Sequence, residues 1–171
     1  KAADDQVAKN GRRQTGHMWG TNPCSEIILR PYQFCNLSEV VVRESDDLIS
    51  LRSKVRIATI LGTFQSTLTD LKYLRKIWRI NTEEERLLGV SLTGIMDNYV
   101  LARQTDSKVW LQEMKQVAID TNKEYAEKIG IPRSTAITCV KPRGTVSQLT
   151  DSASGIHARH NPFSVITVCG Y

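Results

Sequence analysis

The sequence predicts an α/β fold with parallel strand pairing. Three observations carry this. Short β-branched, apolar runs alternate with long segments of helical periodicity. Those long segments, near residues 48–78 and from residue 106 onward, leave room for crossover helices between neighbouring strands. The composition, 40% apolar and 24% charged over 171 residues, suits one packed domain that needs no metal or disulfide staple.

The elements follow in order. Residues 1–21 are polar and read as an N-terminal loop or tail. Ile27, Ile28 and Leu29 form a first extended piece, and the β-branched Val40, Val41 and Val42 a second. Ser45, Asp46 and Asp47 offer N-cap chemistry for a helix that runs to about Trp78. Its expected stripe is Leu51, Val55, Ile60, Phe64, Leu68, Leu71 and Leu74. Thr82 and Glu85 have capping-box spacing. The nearly uncharged run LLGVSLTGIM, from Leu87 to Met96, suits a buried strand flowing into a helix. Asp106 and Ser107 open another helix, with Val109, Trp110, Met114, Val117, Ala118 and Tyr125 on one face. Gly130 and Pro132 end it. A β-like run covers residues 135–140, a break follows at residues 141–144, and a helix begins near Thr145. Residues 163–168 form a last strand candidate. Cys139 and Cys169 lie in apolar runs and read as small buried hydrophobes, and Trp19, Trp78 and Trp110 as packing residues.

No stretch approaches the roughly 18 apolar residues of a membrane span. The first residues lack the apolar core of a signal peptide, so the expected compartment is the reducing cytoplasm. The net charge of +5 suits an anionic ligand but is too dispersed to indicate direct nucleic-acid binding. Beginning at Lys1 and stopping after a strand-like run, the chain is expected to be a piece of a longer protein.

Asn22-Pro23-Cys24-Ser25-Glu26 is the most informative stretch. If it stays extended, Asn22, Cys24 and Glu26 project to one side, placing an amide, a thiol and a carboxylate on one edge. A thiol there can attack, ligate a metal, exchange disulfides or carry a radical, and the carboxylate can act as general base. A buried loop cysteine beside a solvated glutamate is the bland alternative. Cys35 follows 11 positions after Cys24, a spacing that fits neither zinc ribbons nor thioredoxin motifs. A zinc site would have to recruit His157 and His160. Further along, the glycine turn Lys141-Pro142-Arg143-Gly144-Thr145-Val146-Ser147 enters a helix and suits a phosphate, with hydroxyls at Thr145 and Ser147 and charge at Lys141 and Arg143. An ordinary basic turn is the alternative there.

NPCSEI, FCNLSEVVVR, KPRGTVSQL and DSASGIHARHNPF together resemble the catalytic subunit of ribonucleotide reductases, over about residues 20–163. The likeness is to the adenosylcobalamin-dependent, class II kind that acts on triphosphates, whose cysteine spacing the 11-residue interval resembles. The resemblance implies a ten-stranded α/β barrel with a finger loop carrying the radical cysteine. Residues 22–171 would be a partial barrel domain, since each βαβ unit takes about 30 residues. Cys24 would be the thiyl-radical cysteine, Glu26 the acceptor of the 3′-hydroxyl proton, and Asn22 a substrate ligand. Cys35 would be one of the two reducing thiols. Gly144, Thr145, Val146 and Ser147 would bind the substrate phosphates.

The resemblance also implies adenosylcobalamin as cofactor, a ribonucleotide substrate and a thioredoxin-like reductant. The second reducing thiol and the C-terminal cysteine pair are expected on N- and C-terminal portions outside this chain, so the isolated chain is expected to be inactive. Two other readings stay open: a non-catalytic nucleotide- or phosphate-binding remnant, and a basic nucleic-acid-binding domain.

Overall fold

The computed structural model describes residues 1–9, 13–142 and 144–159. Arg143, His160, Cys169 and the strand expected at residues 163–168 lie outside them.

The elements are α1 (Ala2–Ala8), β1 (Gly20–Thr21), β2 (Ile28–Leu29), β3 (Asn36–Val41), α2 (Leu48–Gln65), α3 (Lys76–Glu85), β4 (Leu88–Thr93), a 3₁₀ turn (Ile95–Asp97), α4 (Gln104–Ile129) and α5 (Gly144–Leu149). β3 and β4 pair in parallel, in register from Asn36↔Leu88 to Val41↔Thr93. The β-like run expected after α4 lies on the other side of β4. Val90 bridges Thr138 in parallel, Leu88 N–H donates to the Ala136 carbonyl at 2.9 Å, and Cys139 N–H donates to the Val90 carbonyl at 3.0 Å. The parallel layer expected from the alternation is therefore present, with β4 in its middle. Burial on both faces explains why the β4 sequence is so evenly apolar.

α2 and α4 pack on this layer around Val40, Val42, Leu51, Val55, Val90, Met114 and Ala118. α2 starts as its local sequence indicates. Asp47 accepts from Ser50 N–H at 2.7 Å, and Ser50 Oγ accepts from Asp47 N–H at 3.1 Å. Its length and buried face differ from expectation. The helix ends at Gln65 and does not reach Trp78, and Phe64, Leu68 and Leu74 are exposed. The buried side is Leu51, Val55, Ala58, Thr59, Gly62 and Thr63. Two physical features permit this. The Thr59 and Thr63 hydroxyls donate back to the carbonyls of Val55 and Thr59, at 2.7 and 2.8 Å, so they enter the core satisfied. Gly62 lies against the sheet: a Cβ there would be in ordinary van der Waals contact with Ser38 Oγ at 3.5 Å and Leu88 Cδ2 at 3.6 Å.

Thr82 and Glu85 do not open a helix. They lie in the last turn of α3, which Arg86 closes in the left-handed region (φ 44°) with its N–H on the Thr82 carbonyl. Both are buried, and Glu85 is taken by Arg13 from outside its own helix. α4 begins two residues before Asp106 and ends as expected at Gly130 (φ 78°), whose N–H reaches the carbonyls of Ala126 and Glu127. Met114 and Ala118 are buried and Trp110 and Val117 pack beside them, but Val109 faces solvent. Asn122 joins the helices: its amide donates to Thr63 Oγ1 at 3.0 Å and Ser134 Oγ at 3.1 Å, and accepts from Ser134 N–H.

The N-terminal segment is not simply a tail. α1 buries Val7, and the buried Arg13 guanidinium sits 3.1 Å from both Glu85 oxygens while donating to the Ile28 carbonyl at 2.7 Å. Gln33 adds its amide to Glu85. The tryptophans do pack: Trp78 stacks on Phe34 at 4.7 Å, Trp19 donates to Asp4, and Trp110 covers the core. Among the described residues no helix is long and apolar enough to cross a membrane.

Candidate functional site

β1 and β2 form an antiparallel hairpin, with Gly20 opposite Leu29 and Thr21 opposite Ile28. The Asn22–Glu26 motif is the loop between them, not an extended edge. Ser25 N–H donates to the Asn22 carbonyl at 2.9 Å, and Ser25 takes φ 61°. The Asn22 side-chain carbonyl accepts from Ile27 N–H at 3.0 Å. Short polar side chains capture nearby backbone in this way, and the result is a turn.

The turn undoes the expected alternation. Cys24 is exposed, whereas the Glu26 side chain is only 1% exposed. Lys141 Nζ, from the loop before α5, stands 3.0 Å from Glu26 Oε1 as an ion pair, with its own side chain 16% exposed. Burial pushes the Glu26 carboxyl up. Lys141, its own backbone and the Asn22 amide more than offset that and hold it below the usual carboxylate range. Cys35 lies just before β3 and is half-buried. Burial raises its thiol pKa, the Glu26 charge raises it further, and Lys141 partly opposes both. The structure thus gathers Asn22, Glu26, Cys35 and Lys141, while Cys24 is exposed on the turn two residues before Glu26. A cavity of about 230 Å3 opens here, lined by Arg13, Glu26, Ile27, Lys115 and Thr138 among others.

In the glycine turn, Gly144 and Thr145 are exposed and Val146 is half-buried. A Cβ on Gly144 would meet no heavy atom within 4 Å. Ser147 is buried, and its hydroxyl donates to the Gly144 carbonyl at 3.2 Å. The far end of α5 is held by Arg43, which donates to the carbonyls of Thr150 at 2.6 Å and Asp151 at 2.8 Å. His157 is exposed, and among the described residues no group of three or more His, Cys, Asp or Glu is placed to hold a metal ion.

Sequence reasoning read Lys141 only as charge for a phosphate and missed it as the partner of Glu26. Nothing local signals that pairing, because the two residues come from loops far apart in sequence. Arg13, Gln33 and Glu85 were missed for the same reason.

The fold is that of part of a class II ribonucleotide reductase. The solved B-12 dependent enzyme superposes with a TM-score of 0.64 at 24% identity, over 81% of this chain and 22% of that one. Sequence relatives agree. The adenosylcobalamin-dependent ribonucleoside-triphosphate reductase of Lactobacillus acidophilus is 27% identical over 164 residues, 81% of this chain and 22% of its own length. That of Lactobacillus leichmannii is 24% identical (88% and 23%), and the probable enzyme of Dictyostelium discoideum 28% identical (81% and 18%). No family model matches. The chain is distantly homologous to these class II reductases and spans about a fifth of their length.

Proposed function

We propose that the chain is the radical-cysteine segment of a ribonucleotide reductase, acting on ribonucleotides, in particular triphosphates, within the family's ten-stranded barrel. The hairpin loop would be the tip of the finger loop. The observation that carries this reading is the meeting of the cysteine loop with the Cys35 and Lys141 segments around Glu26.

The chemistry follows from the side chains. A thiol S–H bond is weak enough that a Cys24 radical and a ribose C3′–H exchange hydrogen nearly reversibly. The Cys24 sulfur takes the 3′-hydrogen, and the ionised Glu26 carboxylate accepts the 3′-hydroxyl proton. The 2′-hydroxyl then leaves as water, carrying a proton from a thiol. Cys35 and a second thiol, which the family carries on a more N-terminal segment, supply two electrons and become a disulfide. The raised thiol pKa of Cys35 suits it to deliver a proton. Glu26 returns its proton to the 3′-oxygen, the 3′-hydrogen returns from Cys24, and an external thioredoxin-like dithiol resets the disulfide. Asn22 would hold the substrate against Cys24. Gly144, Thr145 and Val146 would offer backbone N–H groups to the phosphates, with Ser147 bracing the turn.

Adenosylcobalamin is the cofactor the relatives' names imply. When bound, it supplies the initial radical. One observation fits: the thiol that must be reached from outside, Cys24, is exposed at the loop. No residue of this chain is assigned to hold the cofactor.

The test uses the full-length reductase chain with tritium at the substrate 3′ position. Cys24→Ser should abolish hydrogen release, because a serine O–H bond is too strong to replace the thiol. Cys35→Ser should still release hydrogen but free the base without making deoxynucleotide. Hydrogen release by Cys24→Ser, or normal deoxynucleotide formation by Cys35→Ser, would sink the assignment.

A further inference from the structure

We propose that Lys141 is a positioning residue for the acid–base carboxylate: its ammonium, 3.0 Å from Glu26 Oε1, keeps the buried Glu26 side chain ionised and in place. The inference rests on Glu26 being the proton acceptor of ribonucleotide reduction.

A carboxylate removed from water with no counterion takes up a proton, and a protonated carboxyl cannot act as a base. The Glu26 side chain is 1% exposed, so it needs a cation in contact. The groups around it come from four directions. Asn22 contributes a neutral amide from the same loop, and the segment before β3 contributes the neutral Cys35 thiol. Arg13 and Lys115 line the adjoining cavity, but Arg13 is held by Glu85 at 3.1 Å. Lys141 is the ammonium in contact.

This also divides the labour within the glycine turn. Its lysine is turned toward the carboxylate, while Gly144 and Thr145, a few residues on, remain open to solvent. Any substrate phosphate held by Gly144 and Thr145 would therefore be bound next to the counterion of the base, which links phosphate seating to the acid–base group.

The first measurement is a ¹³C NMR titration of the Glu26 carboxyl in the 171-residue chain, with circular dichroism as the check on folding. Lys141→Met should move the titration to higher pH, and Lys141→Arg should restore it. Lys141→Gln, neutral but polar, gives the same upward shift and serves if the methionine variant does not fold. An unchanged Glu26 titration in the neutral variants overturns the proposal.

The second measurement is kinetic, in the full-length reductase chain. Lys141→Met should lower kcat at neutral pH by about ten- to a hundredfold, since a positioned base contributes on that scale or more. KM should hold, the acid limb of the kcat profile should move to higher pH, and Lys141→Arg should recover most of the rate. A rise in KM at constant kcat would make Lys141 a phosphate ligand and overturn the proposal. A shifted Glu26 titration together with full activity of Glu26→Gln would leave the ion pair standing but remove its acid–base role, which separates failure of the inference from failure to observe the pair.

Discussion

Cys24 and Cys35 stand 11 residues apart in the sequence but in different surroundings. Cys24 is exposed on a turn that Asn22 closes with its own side chain. Cys35 is half-buried, and desolvation together with the Glu26 charge raises its pKa, with Lys141 only partly opposing. A thiol whose pKa is raised keeps its proton through the neutral range, and its thiolate appears only at a pH above the ordinary thiol value. Thiolate is the form that alkylates. Iodoacetamide at neutral pH should therefore modify Cys24 well before Cys35, and the Cys35 rate should climb only at alkaline pH. Peptide mass spectrometry after timed quenching measures both rates. Equal rates at neutral pH would contradict the environments described for the two thiols.

At the level of elements, glycine positions show how tightly the sheet is used. A Cβ on Gly89, in the middle strand β4, would fall 2.4 Å from Leu37 Cδ2, 2.9 Å from Ile27 Cδ1 and 3.2 Å from Cys139 Sγ. These neighbours come from β3, from the residue before β2 and from the segment after α4, and a Cβ would have to displace all three side-chain ends. Gly89→Ala should destabilise the fold by about 1–3 kcal/mol through overpacking. Gly144→Ala, with open space where its Cβ would go, should change stability by less than about 0.5 kcal/mol. Urea denaturation of the two variants side by side gives the comparison. A neutral Gly89→Ala would mean that β4 is not packed between those three side chains. The same crowding ties the element to the site, because Ile27 follows Glu26 directly and is itself buried.

For the molecule as a whole, one buried ionic cluster joins parts distant in sequence. Arg13 spans from the N-terminal segment to Glu85 at the end of α3, to the Ile28 carbonyl of the hairpin, and to Gln33. Glu85 is nearly inaccessible, so removing its cation leaves a charge with no water to solvate it. Arg13→Met should cost about 3–5 kcal/mol, and pairing it with Glu85→Met should recover much of that loss. Chemical denaturation of both variants tests this. If Arg13→Met lost no stability, the N-terminal segment would not be anchored as described. Because the hairpin that carries Cys24 is one of the parts held by Arg13, the cluster also sets where the candidate site sits.

The sequence by itself determined what is encoded within a few residues or by strong periodicity. The parallel α/β layer, the N-cap chemistry around Asp47, the Gly130 stop, the buried β4 run and the resemblance carried by NPCSEI and FCNLSEVVVR were all legible there. Tertiary structure decided which face of α2 is buried, since Thr59 and Thr63 look polar until their back-bonding is seen. It decided that Thr82 and Glu85 close a helix, because Arg13 recruits Glu85 from a distance. It also turned Cys24 outward and Glu26 inward, and it set Lys141 against Glu26. The physical reason is common to these cases. Backbone caps and periodicities act between near neighbours along the chain, whereas burying a charge requires a partner whose position only the folded chain defines.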